Sequence, residues 1–170
     1  REINCDAIKL EGGRRSAAVV KGIVEAGIPV CGHIGLTPQS AAMMGGFKVQ
    51  GKSLQAAQEL LDSARAVEEA GAFMVVLEGI PKMLADVITQ KIGIPTMGIG
   101  AGAGCDMQVL VAQDMLGMNE WVPKFAKKFA DLHTIIIDAY NEYVKESNER
   151  TFPDHDTQYN AVIEGIENLK

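Results

Sequence analysis

Glu78 closes an unbroken apolar run, Phe73-Met74-Val75-Val76-Leu77, and is followed by Gly79. A carboxylate at the lip of such a run is stripped of water, which makes it a stronger proton acceptor and a candidate general base. The competing reading is a glutamate exposed just past the run. Lys9 and Glu11 stand in Lys9-Leu10-Glu11-Gly12-Gly13. In an extended chain alternate residues point to one face. Together they can offer an ammonium to a carboxylate and a carboxylate to a metal ion; a surface ion pair beside a turn is the plainer alternative. His33, in Gly32-His33-Ile34-Gly35-Leu36-Thr37-Pro38-Gln39, stands where an apolar run hands over to a loop. It can donate a hydrogen bond or move a proton, or be a packed histidine with one nitrogen satisfied.

Other stretches are weaker. Gly98, Gly100 and Ala103 match a loose GxGxx[GA] pattern, which would suggest a dinucleotide site, but a glycine-dense stretch matches many patterns by chance and this one lies late in the chain. The favoured reading is glycine used for close backbone approach. Asp106 is expected to orient a neighbour or cap a helix. Met43, Met44 and Met115 are read as packing residues rather than ligands, His133 as structural, and His155 as a loop residue after Pro153-Asp154.

The elements that must position these groups follow from one repeated pattern. A helix-like stretch ends at Gly27, Gly71 or Gly93, and an apolar run begins at once. Glycine there suits the left-handed residue after a helix. Runs apolar on both faces suit strands of a buried parallel sheet. Strands are expected near 6–10, 28–32, 72–77 and 94–98, with a weaker one near 108–112 that reads equally as helix. Helices are expected from Arg14 to Ala26, from a Ser53 cap through Val67, from Pro81 through Ile88, and from Pro123 to Glu146. The last carries a stripe of Phe125, Phe129, Leu132, Ile136, Tyr140 and Val144. The long loop to Lys52 is read as ordered and functional. The tail after Thr151 reads as coil or a short helix.

Strand–helix alternation gives an α/β fold. A doubly wound sheet can be complete at 170 residues, whereas a (β/α)8 barrel typically needs about 250, so the chain could hold only part of one. In both, chemistry sits at the carboxyl ends of the strands, where Glu11, His33, Glu78 and the Gly98–Gly104 stretch fall. One domain, 1–170, is expected. Net charge is −6 with no basic stripe, so nucleic acid is an unexpected partner. Cys5, Cys31 and Cys105 are scattered, which argues against a disulfide framework or structural zinc and for a reducing compartment. No apolar run reaches the roughly 18 residues of a membrane span. Arg1-Glu2-Ile3-Asn4 shows no signal-peptide core and no initiator methionine, which reads as a fragment or processed chain.

Six stretches in register resemble the ketopantoate hydroxymethyltransferase family: Lys9 to Gly13, Gly32 to Gln39, Gly45 to Lys52, Leu77 to Pro81, Ile94 to Gly102, and Pro123 to Phe125. The resemblance implies a partial (β/α)8 barrel of the phosphoenolpyruvate/pyruvate superfamily type, its first strands missing. It implies hydroxymethyl transfer from 5,10-methylenetetrahydrofolate to 3-methyl-2-oxobutanoate, giving 2-dehydropantoate on the way to pantothenate and coenzyme A, with Mg²⁺ stabilising an enolate. By the same resemblance Glu78 matches the proton acceptor, Lys9 and His33 match substrate-binding residues, and Glu11 matches a metal ligand. Two aspartates of the family's earlier strands have no counterpart, so the chain is expected to bind Mg²⁺ and substrate poorly. Met107 stands where the family usually has glycine. A homo-oligomer is implied, in the cytoplasm, or in mitochondria if the source is eukaryotic. Another enolate-forming lyase or aldolase of the superfamily, and a non-catalytic binding module, are the alternatives.

Overall fold

The computed structural model describes residues 5–43 and 45–169. The reading of Arg1 to Asn4, and that of Met44, lie outside the described residues. The chain divides into two compact units, one through Val111 and one from Ala112 onward.

The first unit holds strands β1 (Ile8–Glu11), β2 (Val30–Gly35), β3 (Met74–Glu78), β4 (Thr96–Ile99) and β5 (Met107–Gln108). Helices α1 (Ala17–Glu25), α2 (Leu54–Glu69) and α3 (Lys82–Lys91) lie between the first four strands in chain order. The strand order is β1-β2-β3-β4-β5 and every pair is parallel. A doubly wound sheet would reverse its order at a switch point. A barrel wall adds each strand beside the previous one. The order decides between the two: this unit is part of a (β/α)8 barrel.

Alternation along the strands sorts their side chains onto two faces. Leu10, Val30, Ile34, Val75 and Leu77 join Val20, Leu61, Val67, Leu84 and Ile88 of the helices in a single apolar core. The opposite face therefore takes Lys9, Glu11, Cys31, His33, Met74, Val76 and Glu78. Gly32 faces the helices because a methyl there would run into Val67.

Each of the first four strands starts two residues later than the sequence suggests. After α1, Gly27 N–H donates to Val24 O and Ile28 N–H to Ile23 O; after α2, Gly71 N–H donates to Glu68 O and Ala72 N–H to Val67 O. The first apolar residue after each glycine thus closes the preceding helix. Gly93 departs from the pattern. It is absent from the positive-φ residues, α3 already ends at Ile92 in extended backbone, and Gly93 N–H donates to the Glu68 carboxylate. At the other end, β2 runs on to Gly35, so His33 lies inside the strand rather than at its hand-over to a loop.

The glycine-rich stretch after β4 enters turns and then β5, with no helix at its end. That removes the dinucleotide reading. Close approach explains the glycines: a methyl on Gly98 would lie 2.9 Å from Cys105 Sγ, and one on Gly104 would run into Asp86. Met107, in β5 opposite Met97, is 37% exposed, so its larger side chain has room. The weaker strand resolves into β5 and the short helix α4 (Ala112–Met115).

In the second unit the long helix, α5, spans Leu132–Glu149, not 123–146. The backbone before it is committed elsewhere: Phe129 N–H donates to Met115 O, Leu132 N–H to Leu116 O and His133 N–H to Gly117 O. Phe125 and Phe129 thus lie off the helix, and no residue of α5 is buried. His133 Nδ1 lies 3.3 Å from Met118 O, a structural role as expected. His155 is exposed. The tail is coil with one turn of 3₁₀ helix, Ile166–Asn168.

Ser53 caps α2 by accepting the Ala56 N–H at 3.2 Å. Met43 is 81% exposed, which corrects its reading as a packing residue: it sits in a turn just after the 3₁₀ turn Pro38–Ser40, with its side chain in solvent. The three cysteines are free, and no helix among the described residues is long and apolar enough to cross a membrane.

Candidate active site

The parallel register sets Glu11 beside His33 and Gly35 beside Glu78. Because His33 and Gly35 are alternate residues of one strand, Glu11, His33 and Glu78 share the face turned away from the helices. Lys9 shares it too. The structure brings all four sequence candidates into one cluster. Lys9 Nζ lies 3.2 Å from Glu11 Oε1 and 3.2 Å from His33 Nδ1. His33 Nε2 lies 3.2 Å from Glu78 Oε2, and His33 Nδ1 lies 3.6 Å from Glu11 Oε1. His33 is 2% exposed; the Glu11 and Glu78 side chains are 9% and 13% exposed, and that of Lys9 is 48% exposed.

The His33–Glu78 approach is close enough for charge interaction. It is not a hydrogen bond, and Nε2 is buried with no hydrogen-bond partner. The geometry is therefore a buried donor or acceptor beside a carboxylate, not a closed pair. By contrast both oxygens of Glu11 are engaged: Oε1 with Lys9, and Oε2 with the Gln39 backbone N–H at 3.2 Å.

The backbone around Glu78 is fixed from three sides. Leu36 N–H donates to Glu78 O at 2.8 Å, Gly79 N–H to Ile99 O at 2.9 Å and Gln50 N–H to Gly79 O at 2.9 Å. Gly35 makes the first of these possible. It has φ +92°, and a methyl on it would run into Glu78 O and lie 2.8 Å from Ile80. Gly35 and Gln39 were not among the sequence candidates. Their signal was only the Gly35-Leu36-Thr37-Pro38 turn, whose proline starts a 3₁₀ turn, Pro38–Ser40, that presents the Gln39 N–H. The same loop to Lys52 contributes Gln50.

Cys31 lies on the same face as Lys9. Burial pushes its thiol pKa up, although Lys9 opposes this, so it stays a thiol and a poor nucleophile. Asp106 is not part of the cluster. It accepts from Thr96 N–H at 2.8 Å and Thr96 Oγ1 at 3.0 Å, which ties the loop before β5 back to the start of β4. Those bonds, the backbone one first, hold its carboxyl below the usual range.

Among the described residues no group of three or more His, Cys, Asp or Glu side chains could hold a metal ion. Glu11 is the nearest to a ligand, and an ammonium and an N–H already occupy its oxygens. Mg²⁺ takes six oxygens in near-octahedral order. The residues present do not fit a complete Mg²⁺ site.

The sequence matches the family described as ketopantoate hydroxymethyltransferase over residues 1–155. The chain belongs to this family. Among its relatives, a 3-methyl-2-oxobutanoate hydroxymethyltransferase of Clostridium beijerinckii is 56% identical over 155 residues, covering 91% of this chain and 56% of the relative. Those of Carboxydothermus hydrogenoformans and Syntrophobacter fumaroxidans are 51% and 49% identical, covering 99% and 100% of this chain and 62% and 63% of their own lengths. This ketopantoate hydroxymethyltransferase family chain thus spans about three-fifths of the relatives it matches.

Proposed function

We propose that the protein transfers a hydroxymethyl group from 5,10-methylenetetrahydrofolate to 3-methyl-2-oxobutanoate, giving 2-dehydropantoate for pantothenate synthesis. One observation carries the reading: Glu78, a largely buried carboxylate on a fixed backbone, lies 3.2 Å from the buried His33 Nε2. Glu78 takes the proton from carbon 3 of the oxo acid, and the C–H electron pair passes into an enolate. Water takes the methylene unit off the folate as both of its C–N bonds break and the two nitrogens take up the water's protons. The enolate carbon then bonds to the released one-carbon carbonyl, whose oxygen takes a proton, in exchange for the one Glu78 removed, to become the hydroxyl. His33 and Lys9 bind the oxygens of the oxo acid, and the family membership supports assigning them these roles.

The cluster sets one ammonium, Lys9, against two carboxylates, Glu11 and Glu78. An oxo acid anion entering it gains little from such a balance and needs added positive charge. Mg²⁺ is the proposed source, with Glu11 as this chain's ligand alongside donors beyond the four clustered residues. We read 1–170 as part of one barrel domain acting in the cytoplasm as a homo-oligomer, without nucleic-acid or membrane partners.

The deciding assay measures 2-dehydropantoate made by the protein expressed from its complete reading frame. Product that requires methylenetetrahydrofolate is expected. Enolate chemistry without that dependence points to another lyase or aldolase of the superfamily. The incomplete ligand set favours a second reading, in which the 170 residues alone form a non-catalytic piece that binds Mg²⁺ and substrate poorly. Tight binding of Mg²⁺ plus 3-methyl-2-oxobutanoate to these residues by isothermal titration would contradict the view that their site is incomplete.

A further inference from the structure

His33 Nδ1 has two polar neighbours, Lys9 Nζ at 3.2 Å in hydrogen-bonding geometry and Glu11 Oε1 at 3.6 Å. A lysine ammonium has three hydrogens and no lone pair, so it can only donate. A hydrogen on Nδ1 would face those of the ammonium, and its one compensating acceptor, Glu11 Oε1, lies beyond hydrogen-bond reach. Nδ1 is therefore the acceptor, and the neutral ring carries its hydrogen on Nε2. The ammonium is itself held in place by Glu11 Oε1 at 3.2 Å. Glu11 is in turn pinned by the Gln39 N–H.

We propose that Lys9 is a positioning residue: it fixes His33 as the Nε2–H tautomer and so turns a buried donor toward the Glu78 side of the cluster. Nε2 lies within 3.2 Å of Glu78 Oε2 yet has no hydrogen-bond partner. The ligand atom that completes it is an acceptor oxygen, such as the carbonyl or enolate oxygen of an oxo acid. This use of the donor rests on the reading of Glu78 as the base; the tautomer itself does not. Lys9 thereby shapes the site through His33 as well as through its charge.

The test is ¹⁵N NMR on the protein from its complete reading frame, labelled at histidine, without ligand and above the ordinary histidine titration range. His33 is assigned by the signals that vanish in His33→Gln. The expected pattern has Nε2 protonated and Nδ1 bare. A ring protonated at Nδ1, or at both nitrogens, overturns the proposal on the unsubstituted protein alone. Lys9→Met is expected to move His33 toward the Nδ1–H form, whereas Lys9→Arg keeps a donor and the original pattern. A His33 pattern unchanged in a folded Lys9→Met variant removes Lys9 from the role. Hydroxymethyl transfer is measured separately, so failure of the tautomer and failure of the proposed reaction are distinguishable.

Discussion

At the scale of single residues, the chemistry rests on side chains recognisable from type and spacing. Glu78 was legible because it ends an apolar run, and Lys9 and Glu11 because they are alternate residues of a strand. What the sequence did not carry was that all three meet around His33. That depends on register between strands far apart in the chain, which places Glu11 opposite His33 and Gly35 opposite Glu78. The depth of His33 was also hidden, since it depends on β2 continuing to Gly35. If His33 presents a donor to the reacting oxo acid, His33→Gln, which keeps an amide donor of different reach, lowers kcat/KM by about 10²-fold. The loss falls mainly on kcat. An unchanged kcat/KM would reduce His33 to a packing residue.

At the scale of elements, the backbone about Glu78 is held by Leu36 just after β2, by β4 and by the loop before α2. Gly35 is where this arrangement is most exposed to mutation. Gly35→Ala adds left-handed strain of about 1–3 kcal/mol and a collision with Glu78 O. We expect a lower urea midpoint with the slope retained, and a larger loss of activity than the stability change accounts for. The loop between β4 and β5 gives a second prediction. Asp106 has a folded pKa below its unfolded value of about 3.9 because it accepts from Thr96 N–H and hydroxyl. Its contribution is therefore fully present above that unfolded value and is lost as pH falls through the lower folded one. Asp106→Asn should flatten the acid limb of the melting curve below about pH 4 relative to the unsubstituted protein. Asp131 and Asp154, whose carboxyls are also held low by Thr134 and Thr157, supply the part of the limb that remains. Element boundaries were the least legible feature. The late strand starts come from helix-closing bonds at Gly27 and Gly71, and the late start of α5 comes from N–H groups at 129, 132 and 133 reaching back to 115–117. Local apolar spacing records neither.

At the scale of the whole molecule, the sequential parallel order of five strands separates a barrel wall from a doubly wound sheet, a distinction that strand–helix alternation alone left open. The core between sheet and helices makes the first unit sensitive to truncation. Leu77, fully buried, should cost about 2–5 kcal/mol as Leu77→Ala, read from denaturant unfolding. The central claim is that Glu78 removes the carbon 3 proton of 3-methyl-2-oxobutanoate. It is tested most directly by deuterium exchange at that carbon in D₂O, using the protein from its complete reading frame with Mg²⁺ and without folate. Exchange should proceed with the unsubstituted protein and fall by about 10²- to 10⁴-fold in Glu78→Gln. Exchange at an undiminished rate in a folded Glu78→Gln variant would contradict it.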